Sequence, residues 1–130
     1  MNTPAISVLM TTYNREKYVG EAIESVLNSS FKDFELVVVD DRSKDKTVDI
    51  VREWQAKDDR GKLFINEQNL GDYPNRNQAA AHATGTYLKY VDADDIIYPW
   101  GLQILWECME RLPEAGWDLC SLAQDQNCSF

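Results

Sequence analysis

The sequence predicts an α/β fold: a mostly parallel sheet with helices on both faces. Three observations carry that expectation. Short apolar runs of strand length alternate with segments whose apolar residues recur at helical spacing, the pattern of crossover connections between parallel strands. One run, Leu36-Val37-Val38-Val39, is apolar at four consecutive positions, which suits a central strand covered on both sides. The stretches after the predicted strands are rich in Asp, Asn, Thr and Gly. In an open parallel sheet such loops emerge together at the carboxyl edge, where ligands bind.

Ile6-Ser7-Val8-Leu9-Met10 reads as a short buried first strand. Tyr18, Ala22, Ile23, Val26 and Leu27 then recur at helical spacing, with Asn14 as the N-cap. Glu35-Leu36-Val37-Val38-Val39 is the second strand. Val48, Val51 and Trp54 mark a second helix, capped by Ser43, Asp45 or Thr47. Gly61 breaks the chain, and Leu63-Phe64-Ile65 form a short third strand. Residues 75–83 are an Ala-rich helix with Gly85 as its stop. Tyr73 and Pro74 begin that helix, since Pro is favoured in a first turn. Residues 86–91 are the fourth strand. Leu102, Leu105, Trp106, Met109 and Leu112 form a helical apolar face ended by Pro113. Residues 117–122 read as a fifth strand, and residues 124–130 as a polar, unpatterned tail. The expected organisation is therefore one domain over residues 1–123 followed by that tail.

Composition narrows the function. Apolar residues make up 44% of the 130, enough for a core, and the net charge is −9. That charge disfavours nucleic acid and anionic membranes, which select basic patches. No apolar run approaches membrane-spanning length, and no basic-flanked leader is evident. Cys108, Cys120 and Cys128 are odd in number and lack Cys-x-x-Cys spacing. They fit a reducing compartment, hence the cytoplasm, and argue against structural zinc or a disulfide framework. The single histidine, His82, argues against imidazole-based catalysis and reads as a helix-surface residue. Trp54, Trp106 and Trp117 fit packing roles. Trp100 belongs either to a turn with Tyr98, Pro99 and Gly101 or to the lining of a ligand site.

Asp92-Ala93-Asp94-Asp95 follows the fourth strand directly. Carboxylates this close repel unless cations, protons or solvent compensate. They read either as a turn with a helix cap before Ile96 or as hard oxygen ligands for a divalent ion. The other strand-end loops bear on the choice: Thr11-Thr12-Tyr13-Asn14, Asp40-Asp41-Arg42-Ser43 and Gln68-Asn69-Leu70-Gly71-Asp72. Tyr13 offers a ring face to a base. Asp41 can accept from a base N–H or a ribose hydroxyl, and Arg76 can reach a base or phosphate.

Several ordered motifs carry a family resemblance. Thr11-Thr12-Tyr13-Asn14-Arg15, Ala22-Ile23-Glu24-Ser25-Val26-Leu27 and the stretch from Phe34 through Asp40-Asp41-Arg42-Ser43 resemble the opening of a family 2 glycosyltransferase. Asn69-Leu70-Gly71 with Arg76-Asn77 resembles that family's Gly-rich segment and the helix start after it. Ala83-Thr84-Gly85-Thr86-Tyr87 followed by Asp92-Ala93-Asp94-Asp95 resembles its Asp-x-Asp block. Asp72-Tyr73-Pro74-Asn75 departs from the small residues usual after the Gly-rich segment.

The resemblance implies a GT-A fold, of which this chain would be the Rossmann-like nucleotide-binding half. It also implies a nucleotide-diphosphate-sugar donor, most commonly a UDP-sugar, a Mg²⁺ or Mn²⁺ ion, and a saccharide or lipid-linked acceptor. By that resemblance Thr11, Tyr13 and Asp41 surround the base and ribose, and Arg76 assists donor binding. Asp92 meets the ribose or the ion, Asp94 is the chief metal contact, and Asp95 either caps the next helix or ligates. Family transfer is inverting, through a carboxylate base in the second half of a domain of roughly 200 residues or more. Glu114, Asp118 and Asp125 have no base-like context, so no catalytic base is assigned. A module that holds a nucleotide-sugar without chemistry is the alternative. A phosphoacceptor receiver would place an acidic pair where Thr11-Thr12 stand, and a dinucleotide fold would place Gly-x-Gly-x-x-Gly there.

Overall fold

A computed structural model describes residues 2–116. Strands and helices alternate as β1 (Ile6–Thr12), α1 (Val19–Leu27), β2 (Phe34–Asp40), α2 (Thr47–Lys57), β3 (Gly61–Ile65), α3 (Asp72–His82), β4 (Tyr87–Tyr90) and α4 (Gly101–Arg111). The four strands form one parallel sheet in the order β3-β2-β1-β4. The expected α/β architecture stands, with the two most apolar strands in the middle. The fifth strand expected over residues 117–122 and the tail lie outside the described residues. Among the described residues no helix is long and apolar enough to cross a membrane.

Strand pleating sends alternate residues to opposite faces. Ile6, Val8 and Met10 of β1, with Phe34, Leu36 and Val38 of β2, meet α1, Val51 of α2 and Leu102 of α4. On the other face Leu9, Val37 and Val39 pack on Ala79 of α3. Small alanines let α3 lie close to the sheet. Trp54 and Trp106 pack at the rim of the larger cluster, Trp106 with its ring 5.5 Å from that of Phe31. His82 stacks on Phe64 at 3.7 Å between centroids, a packing role at the end of α3.

Several local expectations need correction. Asn14 does not cap α1, whose boundary residue is Tyr18, and Val19 rather than Tyr18 is buried. Asn14 instead takes a left-handed backbone (φ 53°) and bonds to the loop after β2. None of the three candidate caps sits at the boundary of α2, which is Lys46; Asp45, one residue earlier, accepts the Thr47 N–H at 2.9 Å and the Thr47 hydroxyl at 2.5 Å. Asp95 cannot cap α4, which begins only at Gly101; its N–H closes a turn on the Asp92 carbonyl at 3.0 Å. Leu112 lies past the end of α4 and is 61% exposed.

Gly85 is not a left-handed stop either, since α3 ends into extended backbone at Ala83. A Cβ at Gly85 would sit 2.6 Å from the Ser7 backbone nitrogen, so glycine is needed for close approach to β1. Its N–H donates to Ser7 Oγ at 2.8 Å. Ser7 in turn donates to Glu35, which also accepts from Lys62 Nζ at 2.6 Å and from the Thr84 N–H at 2.7 Å. This buried carboxylate ties three strands and the segment after α3 together at the amino edge of the sheet.

Candidate functional site

At the opposite, carboxyl edge the loops after the strands enclose a cleft of about 360 Å³. Thr11, Tyr13, Asp41, Arg76, Asp92 and Asp94, the six residues singled out from sequence, all line it. Thr12, Arg15, Asn69, Gly71, Asp72, Asn75 and Ala93 complete the wall. The parallel register explains the convergence. Thr12 pairs with Asp40, so β1 and β2 release their loops at one level, and Asp40 pairs with Ile65, which adds the loop after β3.

The loops are joined by side chains. Asp40 is fully buried and accepts from Thr12 Oγ1 (2.8 Å), the Ser43 N–H (2.8 Å) and the Ser43 hydroxyl (2.5 Å). Ser43 Oγ accepts the Asn14 N–H, and Asn14 Oδ1 accepts the Lys44 N–H, both at 2.8 Å. These bonds stitch the first two loops together across left-handed Asn14 and Arg42.

Asp41 does the same for the third loop. Its Oδ1 accepts from the Leu70 N–H at 2.7 Å and Asn66 Nδ2 at 2.9 Å, and its Oδ2 accepts the Gly71 N–H at 2.9 Å. Gly71 turns into α3 at φ 89°, a conformation that favours glycine. Asn66 Nδ2 also donates to Asn75 Oδ1, and Asn75 Nδ2 to the Val39 carbonyl. Sequence reasoning gave Asp41 to a ligand; in the structure it also shapes the loop from which α3 and Arg76 project. Asp40, Asn66 and Asn75 were missed. Their only signal is a polar residue at a buried strand end or helix start, which resembles ordinary turn chemistry.

Charges alternate across the mouth of the cleft. Arg76 Nη2 lies 2.9 Å from Asp92 Oδ1, Arg76 Nε lies 3.1 Å from Asp72 Oδ1, and the guanidinium stands 5.7 Å from the Tyr90 ring centroid. Burial opposes the Arg76 charge, but Asp92 and Asp72 outweigh it and raise its pKa. Arg15 Nε lies 3.8 Å from Asp94 Oδ2. Asp92 and Asp94 are each about half exposed (49% and 48%), open to a ligand. Among the described residues no three carboxylate, imidazole or thiolate groups converge as a metal cage. A two-carboxylate wall fits Mg²⁺ or Mn²⁺ when phosphate oxygens and water complete the shell, a common way of holding Mg²⁺. Of the late acidic residues, Glu114 does not border the cleft, and Asp118 and Asp125 lie outside the described residues.

Comparison with known proteins gives a consistent answer. The sequence matches the family "Glycosyl transferase family 2" over residues 7–125. An uncharacterized glycosyltransferase of Methanocaldococcus jannaschii is 43% identical over 113 residues, which cover 85% of this chain and 39% of that one. The GalNAc(5)-diNAcBac-PP-undecaprenol beta-1,3-glucosyltransferase of Campylobacter jejuni is 37% identical over 103 residues, 78% of this chain and 33% of the relative. The chain thus spans about a third of the length of these relatives. Among solved structures, S. aureus TarS in complex with UDP-GlcNAc superimposes with a TM-score of 0.76 at 36% identity, covering 82% of this chain and 31% of that one. The mannosyltransferase PcManGT of Pyrobaculum calidifontis, in complex with GDP-Man and Mn²⁺, gives 0.76 at 25% identity, covering 84% and 33%. A parallel GT-A sheet, a polar cleft at its carboxyl edge and a match over nearly the whole chain agree: the protein belongs to glycosyl transferase family 2.

Proposed function

We propose that this chain forms the donor-binding part of an inverting, metal-dependent glycosyltransferase that uses a nucleotide-diphosphate sugar, with a UDP-sugar as the first candidate. The observation that carries the reading is the convergence of four strand-end loops, and all six expected residues, on one cleft. The UDP-GlcNAc bound to TarS and the GDP-Man and Mn²⁺ bound to PcManGT support the donor class and the ion. In this reading Thr11 and Tyr13 face the base and ribose, Asp41 fixes the loop beside them, and Arg76 serves the diphosphate. Asp92 and Asp94 hold the Mg²⁺ or Mn²⁺. When bound, that ion offsets the negative charge that grows on the diphosphate as its bond to the anomeric carbon breaks.

The acceptor hydroxyl attacks that carbon from the opposite face and gives its proton to a carboxylate base. We place the base and the saccharide or lipid-linked acceptor site outside the described residues, and the reaction in the cytoplasm.

Calorimetric titration of UDP, GDP and dTDP, with and without Mn²⁺, tests the reading. Mn²⁺-dependent binding of one nucleotide, lost in Asp94→Asn, is the expected result. Equal binding by Asp94→Asn would exclude Asp94 as a metal contact. A second variant probes the loop. Asp41→Ala leaves the Leu70 and Gly71 N–H groups without their acceptor, at a cost of about 2 kcal/mol in stability. Nucleotide affinity should fall about tenfold or more, a loss of at least about 1.4 kcal/mol. Unchanged affinity in a folded Asp41→Ala chain would show that the loop needs no such anchor.

A further inference from the structure

We infer that Arg15 is a donor-binding residue that Asp94 holds in reserve: a divalent ion takes over Asp94, and the freed guanidinium goes to the diphosphate. The inference rests on the donor-site reading above and adds to it a residue with no role so far.

Arg15 lines the cleft, and it has bonds there other than its contact with Asp94. Its backbone N–H donates to Thr47 Oγ1 at 2.8 Å, and Nη1 donates to the Tyr13 and Asn14 carbonyls at 3.2 and 3.3 Å. The contact with Asp94 is of a different kind. At 3.8 Å it is a charge pair without a hydrogen bond, and both side chains are nearly half exposed, 46% and 48%. Such a pair is weak and yields to a doubly charged ion at the same carboxylate. Once released, the guanidinium keeps its two carbonyl acceptors and stays at the cleft wall. Its planar fork suits phosphate oxygens.

Arg76 stands on the other carboxylate, there with a hydrogen bond. It pairs with Asp92 at 2.9 Å while Asp72 and the Tyr90 ring hold it from behind. Each carboxylate expected to meet the ion therefore carries an arginine from a different part of the fold, Arg15 from the loop after β1 and Arg76 from α3. An ion entering alone displaces these cations without compensation. An ion entering with a diphosphate gives them a new partner.

The prediction is a pair of effects with opposite signs. In the 130-residue chain, Arg15→Gln should bind Mn²⁺ without nucleotide about fivefold more tightly, the scale of one exposed charge pair. At saturating Mn²⁺ it should bind UDP about fivefold more weakly, through loss of a charge-assisted contact. Water-proton relaxation reads the first and calorimetry the second. A purely structural role for Arg15 would weaken both, so that result, no change in either, or no Mn²⁺ binding by Arg15→Gln overturns the inference. Asp94→Asn separates this from the parent reading. If it abolishes Mn²⁺ binding while Arg15→Gln shows no opposed effects, the donor site stands and the exchange fails. If it leaves Mn²⁺-dependent UDP binding intact, the donor-site reading itself fails.

Discussion

Glu35→Gln is expected to cost about 2 to 3 kcal/mol of folding stability at neutral pH and to flatten the acid limb of the stability curve. Glu35 is 4% exposed, and its carboxyl is held at about 2 against an ordinary 4.5. Burial pushes that value up, but the Lys62 ammonium and the donors on Ser7 and Thr84 outweigh it. The sign follows from which state takes the proton first. As pH falls, the unfolded carboxyl protonates near 4.5 while the folded one stays charged to about 2. The stabilisation is therefore complete above about 4.5 and is lost between there and about 2. Lys62 reaches solvent, which screens its share and sets the lower end of the range. Gln keeps the shape but turns an amide N–H₂ toward donors. Urea titrations of both proteins across this pH range should show a wide gap at neutral pH that closes in acid. Parallel curves would mean that the Glu35 carboxyl takes its proton at the same pH in the folded and unfolded chain, so that its partners do not lower its pKa.

Gly85→Ala should be at least as damaging, although it adds a single methyl. The new carbon would lie 2.6 Å from Ser7 N, 2.7 Å from Ser7 Oγ and 2.9 Å from the Ile6 carbonyl carbon. Two of those atoms are backbone of β1, which pairs on both sides and cannot retreat. The segment 84–86 must move away instead. It would then lose the Gly85 N–H to Ser7 Oγ, both Thr84 donations to Glu35 and the Thr86 N–H to the Pro4 carbonyl. The expected loss is about 3 kcal/mol or more. Because Ser7 and Glu35 belong to one hydrogen-bonded group, Gly85→Ala with Glu35→Gln should destabilise less than the sum of the two. Additive losses would show the two sites to be independent. A thermal midpoint for Gly85→Ala equal to the parent's would contradict the packing described here.

Both positions show what the sequence conveyed and what it withheld. The four described strands and their direction were legible, because period-two and period-3.6 patterns reflect burial, and burial fixes the sheet. Five of the six cleft residues were legible at strand ends that share one edge and Arg76 at the helix start beside them, while their roles came from the family resemblance. Glu35 read as an ordinary strand residue, since its partners Ser7, Lys62 and Thr84 are distant in sequence. Gly85 was seen as a breaker, whereas the reason for glycine is a neighbour that only the folded chain supplies. Asn14 has a cap's chemistry but spends it on Lys44 in another loop. Asp41 was chosen for its acceptor capacity, and much of that capacity goes to backbone N–H groups. Polar side chains have several legitimate uses at a turn, and sequence alone does not rank them.

The stitching of the cleft loops by Asp40, Asn14, Ser43 and Asp41 has a consequence for recognition. A loop that becomes ordered only on meeting its ligand subtracts that lost freedom from the affinity. Here hydrogen bonds already tie the loops after β1, β2 and β3 to one another in the folded chain, which leaves less of their freedom for a ligand to remove. At the proposed donor site, encounter with a nucleotide would accordingly be closer to docking on a preformed rim than to closing a flexible mouth. For the proposed donor, selectivity among bases would then reside in the shape of that rim.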